Sequence, residues 1–221
     1  MANWSVDSDL VLREPAVLGC FPRERAELIK GSDGATNAAG TGFSSAAIGS
    51  GFLTAGVLAD QYLEITEGEY QGFYRVATAA AGLLTLDRPI AASLTSLSFR
   101  VRTFAAEHSE AHQHYLDQVL RKLGSLKAGD ANDAVFNENK ISVRSLRNLR
   151  DLCVARVLAI VFRAAAAGAV DSPWWKSADF WDRKEKELKT CIDSIEMDTD
   201  ADGAVDSEES LGWGSVEARI T

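Results

Sequence analysis

Apolar positions along the chain recur with two different periods, and the period changes near Phe104. Before that point QYLEITEG sets Leu63 and Ile65 against Tyr62, Glu64 and Thr66. LTSLSFRVRTF likewise sets Leu97, Phe99 and Val101 against Ser98, Arg100 and Arg102. Strict alternation over such lengths predicts half-buried strands. EGEYQGFYRVAT turns near Gly68–Glu69 and continues the signal through Phe73, Tyr74 and Val76, while LLTLDRPI runs as a strand and stops at Asp87-Arg88-Pro89. Ahead of these, Gly31 to Ala59 is dominated by Gly, Ala, Ser and Thr, with Phe43 and Phe52 as its aromatics. TGFSSAAI and GFLTAGVL there read as short strands and turns. Four strands about ten residues apart, bounded by Gly or Pro, predict a small antiparallel sheet or barrel over 31–103.

After Phe104 the spacing becomes helical. AAEHSEAHQHYLDQVLRKLGSL places Ala111, Tyr115, Leu116, Val119, Leu120 and Leu123 on one face and ends near Gly124; the polar stretch KAGDANDAVFNENK follows as a loop. From Ser142 to Ala167, Leu146, Leu149, Cys153, Val157, Ile160 and Ala164 recur at three and four residues, the mark of a core helix, and Gly168 is its expected stop. Asp171-Ser172-Pro173 opens a last helix, with a capping residue ahead of a proline whose fixed φ suits the first turn. Residues 5–30 also read as short helical pieces: SVDSDLVLREP ends at Pro15, and Pro22 opens PRERAELIKG with Gly31 as its stop. The expected fold is therefore α+β. A helical bundle core (1–30 and 104–197) is split by a small antiparallel β insertion (31–103) and followed by an acidic loop and extended C-terminal tail (198–221).

Charge alters this picture at one place. Of the 32 acidic residues, nine lie between Asp193 and Ala218, a span without Lys or Arg, and the remaining 23 acids balance 23 bases. The net charge of −9 thus belongs to the C-terminal stretch. A protein that grips nucleic acid needs a basic surplus. Its best candidate here, the series Arg144, Arg147, Arg150, Arg156 and Arg163, reads as a solvated or partner-facing helix side. No apolar run approaches the roughly 18 residues of a membrane span. The opening MANWSVDSDL is polar and acidic, so neither a secretory signal nor a transit peptide is expected. Cys20, Cys153 and Cys191 are an odd set without CxxC spacing, and Cys153 and Cys191 read as buried thiols of a reducing compartment.

The most specific chemistry is DTDADGAVDSEE, residues 198–209. A twelve-residue calcium loop needs oxygen ligands at positions 1, 3, 5, 7, 9 and 12 and a glycine at position 6. Asp198, Asp200, Asp202, the Ala204 carbonyl, Asp206 and Glu209 fill the ligand slots, Gly203 the turn, and Val205 the inward apolar slot. Carboxylates so close together repel without a cation. The following SLGWGSVEARIT lacks the second helix of a paired hand, so bound Ca²⁺ would act as a structural clip; the competing reading is a solvated acidic turn. His108 and His112 stand four apart beside Glu107 and Glu110, with His114 nearby, but no distant third ligand accompanies them and they are expected at the surface. Trp174, Trp175, Phe180 and Trp181 are expected in a core or subunit contact rather than a ligand platform. GxSxG, a phosphate loop and a dinucleotide fingerprint are all missing, so no enzymatic constellation and no catalytic residue is assigned.

The order of these pieces resembles the head–tail adaptor, or connector, proteins of tailed bacteriophages. The resemblance rests on the opening WSVDSDL, a β insertion with GEYQGFYRV and LLTLDRPI, the long central helix, and SPWWKSADFWDRKEKEL leading into the DTDADG turn. It covers most of the chain as a layout. It implies a non-enzymatic virion protein, a ring usually of twelve subunits docked under the portal. Portal and tail or neck proteins would be its partners, with DNA passing through the channel and no membrane contact. A calcium-dependent module recognising a capsid or host ligand is the alternative.

Overall fold

The structure, a computed structural model, describes residues 3–20, 26–126, 141–167 and 171–195. These fall into two compact units, one spanning Val6–Glu107 and the other formed by the residues on either side of that span.

The first unit opens with the short helix α1 (Asp7–Arg13) and a 3-10 turn at Pro15–Cys20. Six strands follow: β1 (Glu27–Thr36), β2 (Gly42–Ser45), β3 (Tyr62–Ile65), β4 (Gly72–Ala79), β5 (Leu84–Leu86) and β6 (Leu97–Arg102). They close into an antiparallel barrel in the order β1-β2-β5-β4-β3-β6, with β6 paired back to β1. Strands β3, β4 and β5 are consecutive neighbours and β2 returns beside β5, which is a Greek key. The alternation read in β3 and β6 points inward as expected, since Leu63, Ile65 and Val101 are fully buried and Phe99 nearly so. Phe43, Val76, Leu84 and Leu86 complete the lining, and Phe43 meets Phe99 edge-on at 4.9 Å between ring centres. The β2–β3 connection closes one end. Its Phe52 and Val57 sit fully buried in the same cluster, and the Phe52 N–H donates to the Ala81 carbonyl of the β4–β5 turn at 3.1 Å. Outside, Arg102 pairs with Glu64 at 2.9 Å, and Arg75 lies between Asp60 and Asp87 at 3.4 and 3.3 Å.

The second unit contains most of α2 (Ala105–Leu126), together with α3 (Val143–Ala166), α4 (Pro173–Leu188) and a 3-10 turn at Lys189–Ser194. Ser142 caps α3 by accepting from the Ser145 N–H, and α3 ends on Ala167 in the left-handed conformation. Ser172 caps α4 by accepting from the Trp174 N–H, with Pro173 in the first turn. Both starts follow the sequence reading. From Leu152 to Phe162, every residue of α3 except Arg156 and Ile160 is buried, so α3 is a central helix rather than one with a single apolar stripe. Leu149, Cys153 and Val157 lie in the core as expected, Leu146 and Ile160 are half-buried, and Ala164 is exposed.

The expected helical bundle core with a small β insertion is overturned. The β part is a closed barrel of six strands with a core of its own, and α1 and the first 3-10 turn belong to its unit, not to the C-terminal helices. PRERAELIKG, read as helical, leads into β1, the longest strand of the barrel. Its composition serves ring packing. A Cβ on Gly31 would stand 2.7 Å from the Phe99 ring, and one on Gly34 would stand 2.5 Å from the Phe43 ring and 3.0 Å from the Leu97 carbonyl. These glycines let two phenylalanines reach the barrel wall, a demand set by residues far along the chain. GFLTAGVL, expected to include strand, forms turns because Phe52 and Val57 fold over the barrel end.

Candidate functional site

In the helical unit polar chemistry converges on Glu185 of α4. The Tyr115 hydroxyl of α2 donates to Glu185 Oε1, and Arg156 Nη1 of α3 donates to the same oxygen at 3.1 Å. Arg156 also approaches Glu110 at 3.9 Å and lies 5.8 Å from the centre of the Tyr115 ring. Tyr115 is wholly buried, and burial, with the bond to Glu185 adding to it, pushes its hydroxyl far above the usual tyrosine range. The phenol therefore keeps its proton and Glu185 stays the acceptor. This arrangement clamps α2, α3 and α4 through one carboxylate. Arg163 repeats the α3–α4 link through Asp182.

The histidines do not sit where the sequence reading put them. His108 and His112 are buried, and only His114 is exposed. The Ser5 hydroxyl and His108 Nδ1 share a hydrogen bond of 2.7 Å, whose direction follows the imidazole tautomer. His112 meets the Trp4 ring edge-on at 4.6 Å. The four-residue spacing thus turns both rings inward, towards Ser5 and Trp4. His114 bonds Gln118 at 2.9 Å and is held below the usual imidazole range by desolvation first and by Arg156 next.

The arginine series is committed within the chain at several points. Arg156 and Arg163 hold α4, and Arg150 Nε donates to the Trp4 carbonyl at 3.3 Å. Arg147 is exposed. Cys20, Cys153 and Cys191 are free thiols. Burial raises them to about 11, 12 and 11 respectively, so they are protonated and poorly nucleophilic at neutral pH. Cys153 is buried as expected, whereas Cys191 is half-buried.

The proposed calcium ligands Asp198, Asp200, Asp202, Ala204, Asp206 and Glu209 lie outside the described residues. Among the described residues no group of three or more His, Cys, Asp or Glu side chains could hold a metal ion. An open cavity of ≈ 260 Å³ is lined by Gln118, Lys186, Lys189, Thr190, Ile192 and Asp193. Its chemistry is mixed, with two ammonium groups and one carboxylate.

The aromatic run of α4 divides between inside and outside. Trp174 stacks on Phe162 of α3, with ring centres 5.7 Å apart and planes within 13°. Trp175 and Trp181 are half-buried. Phe180 is 51% exposed and meets the Trp181 ring edge-on. One turn of the helix therefore seals the core while its neighbour presents aromatic surface. The Glu185 clamp was missed from sequence because its three members lie up to 70 residues apart. The only local hint was a tyrosine on the apolar face of α2. The chain thus defines a two-part protein, a filled Greek-key barrel joined to a polar-clamped helical unit. No model of a protein family, no curated protein and no solved structure matches it. Among the described residues no helix is long and apolar enough to cross a membrane.

Proposed function

We propose that this chain is a structural subunit of a virion, a head–tail adaptor of the kind found in tailed bacteriophages. In this reading copies of the chain form a ring, twelve by analogy, at the neck of the particle. The ring seats on the portal protein, receives a tail or neck protein and continues the channel through which DNA passes. The observation that carries the reading is the outward aromatic surface of α4. Phe180 is half exposed in the single chain, with Trp181 edge-on to it and Trp175 only half-buried. Large aromatic side chains left at a surface are the usual anchors of protein–protein contacts. They fall within SPWWKSADFWDRKEKEL, one of the stretches on which the resemblance rests. Charge fits the same role. Outside the acidic C-terminal stretch the chain is neutral, so a channel wall built from it would not hold DNA by a basic surplus.

The test is imaging of the purified chain with and without portal protein. Twelvefold rings that seat on the portal, and particles that fail to join heads to tails when the chain is missing, are the expected results. A reproducible catalytic turnover abolished by one substitution, with no ring in either condition, would replace this reading with an enzymatic one.

A further inference from the structure

One end of the barrel has an unusual surface for a chain in which 25% of residues are charged. From Gly34 to Ala59, and again from Val76 to Leu86, there is no Asp, Glu, Lys, Arg or His. These two stretches meet in space. The Phe52 N–H bonds the Ala81 carbonyl at 3.1 Å, and a Cβ on Gly82 would stand 3.1 Å from the Gly49 carbonyl oxygen. Beneath them Phe52 and Val57 are fully buried. Above them, Leu53, Leu58 and Leu83 are exposed at 47%, 59% and 44%. The intervening residues are Ala, Gly, Ser and Thr, which allow a neighbour to approach closely. Single exposed leucines are ordinary, but three of them on two touching, uncharged loops make a contiguous apolar surface of the kind that marks a contact.

We propose that this uncharged barrel end is a contact surface for a second copy of the chain. The proposal rests on the reading of the chain as an assembly subunit, and the argument for the occupant is electrostatic. Two copies, each carrying a net charge of −9, repel wherever charged surface meets charged surface. A patch free of ionisable groups can face its own image without bringing like charges together or burying an unpaired ion. The barrel is closed, so no unpaired strand edge competes as the joining element. Contact between copies must therefore use side chains, and at this end they are leucines. An anionic lipid surface would require basic residues that these loops lack.

The experiment is sedimentation of the full chain over a range of concentrations, for the wild type and for Leu53→Asp, Leu58→Asp and Ser50→Asp. Thr95→Asp, an exposed change outside the patch, adds the same charge as a control. The wild type is expected to self-associate, and added NaCl should leave that association unchanged or strengthen it, since salt screens the repulsion between copies. Each patch variant should weaken association by at least about 30-fold, the scale of a hot-spot loss, while Thr95→Asp leaves it unchanged. Unaltered far-UV circular dichroism and thermal midpoints in the Ser50 variant separate loss of contact from loss of fold. A wild type that stays monomeric at every concentration overturns the proposal, and so do patch variants that associate like the wild type. A monomeric wild type that takes up only a different protein at this end also overturns it. Rings that persist in the patch variants sink this proposal and spare the adaptor reading. Patch-dependent dimers without any ring do the reverse.

Discussion

At the scale of single residues, Tyr115 ties protonation to stability. Its folded-state pKa is raised by burial and by the bond to Glu185, so the folded chain holds the phenolic proton more tightly than the unfolded chain does. That contribution is whole below about pH 10, the unfolded tyrosine value, and is lost as pH climbs above it. Tyr62 in the barrel, raised by burial to about 12, and Cys153, also raised by burial to about 12, act in the same direction. Denaturant midpoints should therefore fall on going from pH 8 to pH 11, and Tyr115→Phe should flatten part of that fall. At pH 7 the same substitution should cost about 1.5–3 kcal/mol, the range for a hydrogen bond to a charged partner. A Tyr115→Phe chain with wild-type stability at pH 7 and an unchanged alkaline profile would show that the clamp contributes nothing.

At the scale of elements, what could be read locally was read correctly and what depended on distant partners was not. Ser142, Ser172 and Pro173 specify helix starts within a few residues of themselves, and α3 and α4 begin there. Phe99 and Val101 alternate with arginines, and β6 lies where that alternation put it. Strand β1 has no such local signature. Its ELIKGSDGAT contains two glycines and an aspartate, poor strand formers, and the registry of its pairing with β6 shifts twice. The reason for Gly31 and Gly34 appears only when Phe99 and Phe43 arrive from elsewhere. Gly34→Ala should accordingly destabilise the barrel by about 1–3 kcal/mol through overpacking, measured by chemical denaturation. An alanine there without cost would mean that the Phe43 ring moves aside freely. The candidate site was legible in the same uneven way. The aromatic run of α4 was visible as a contact surface, whereas His108 and His112 looked exposed because Trp4 and Ser5 are more than a hundred residues away.

At the scale of the whole molecule, charge and synthesis order matter most. All of the net −9 belongs to the C-terminal acidic stretch, and residues 198–209 spell a calcium loop. Calorimetric titration of the wild type with Ca²⁺ is expected to give a binding isotherm, and Asp198→Ala together with Glu209→Ala should abolish it while leaving the barrel's thermal midpoint in place. No heat at millimolar calcium, in the free subunit and in any assembly, would reduce those twelve residues to a solvated acidic turn. The closure of the barrel has a different consequence, which concerns the ribosome. Strand β1 cannot gain its β6 partner until about 60 further residues have been made, roughly 3–12 s at ordinary elongation rates. During that wait its backbone donors and acceptors on that side lack their β6 partners. Sticky, flat, apolar segments left in that condition seed aggregates. Glu27, Lys30, Asp33 and two glycines make β1 a poor template for its neighbours on the polysome. The residues that make this strand hard to recognise are thus the ones that keep it soluble until its partner emerges.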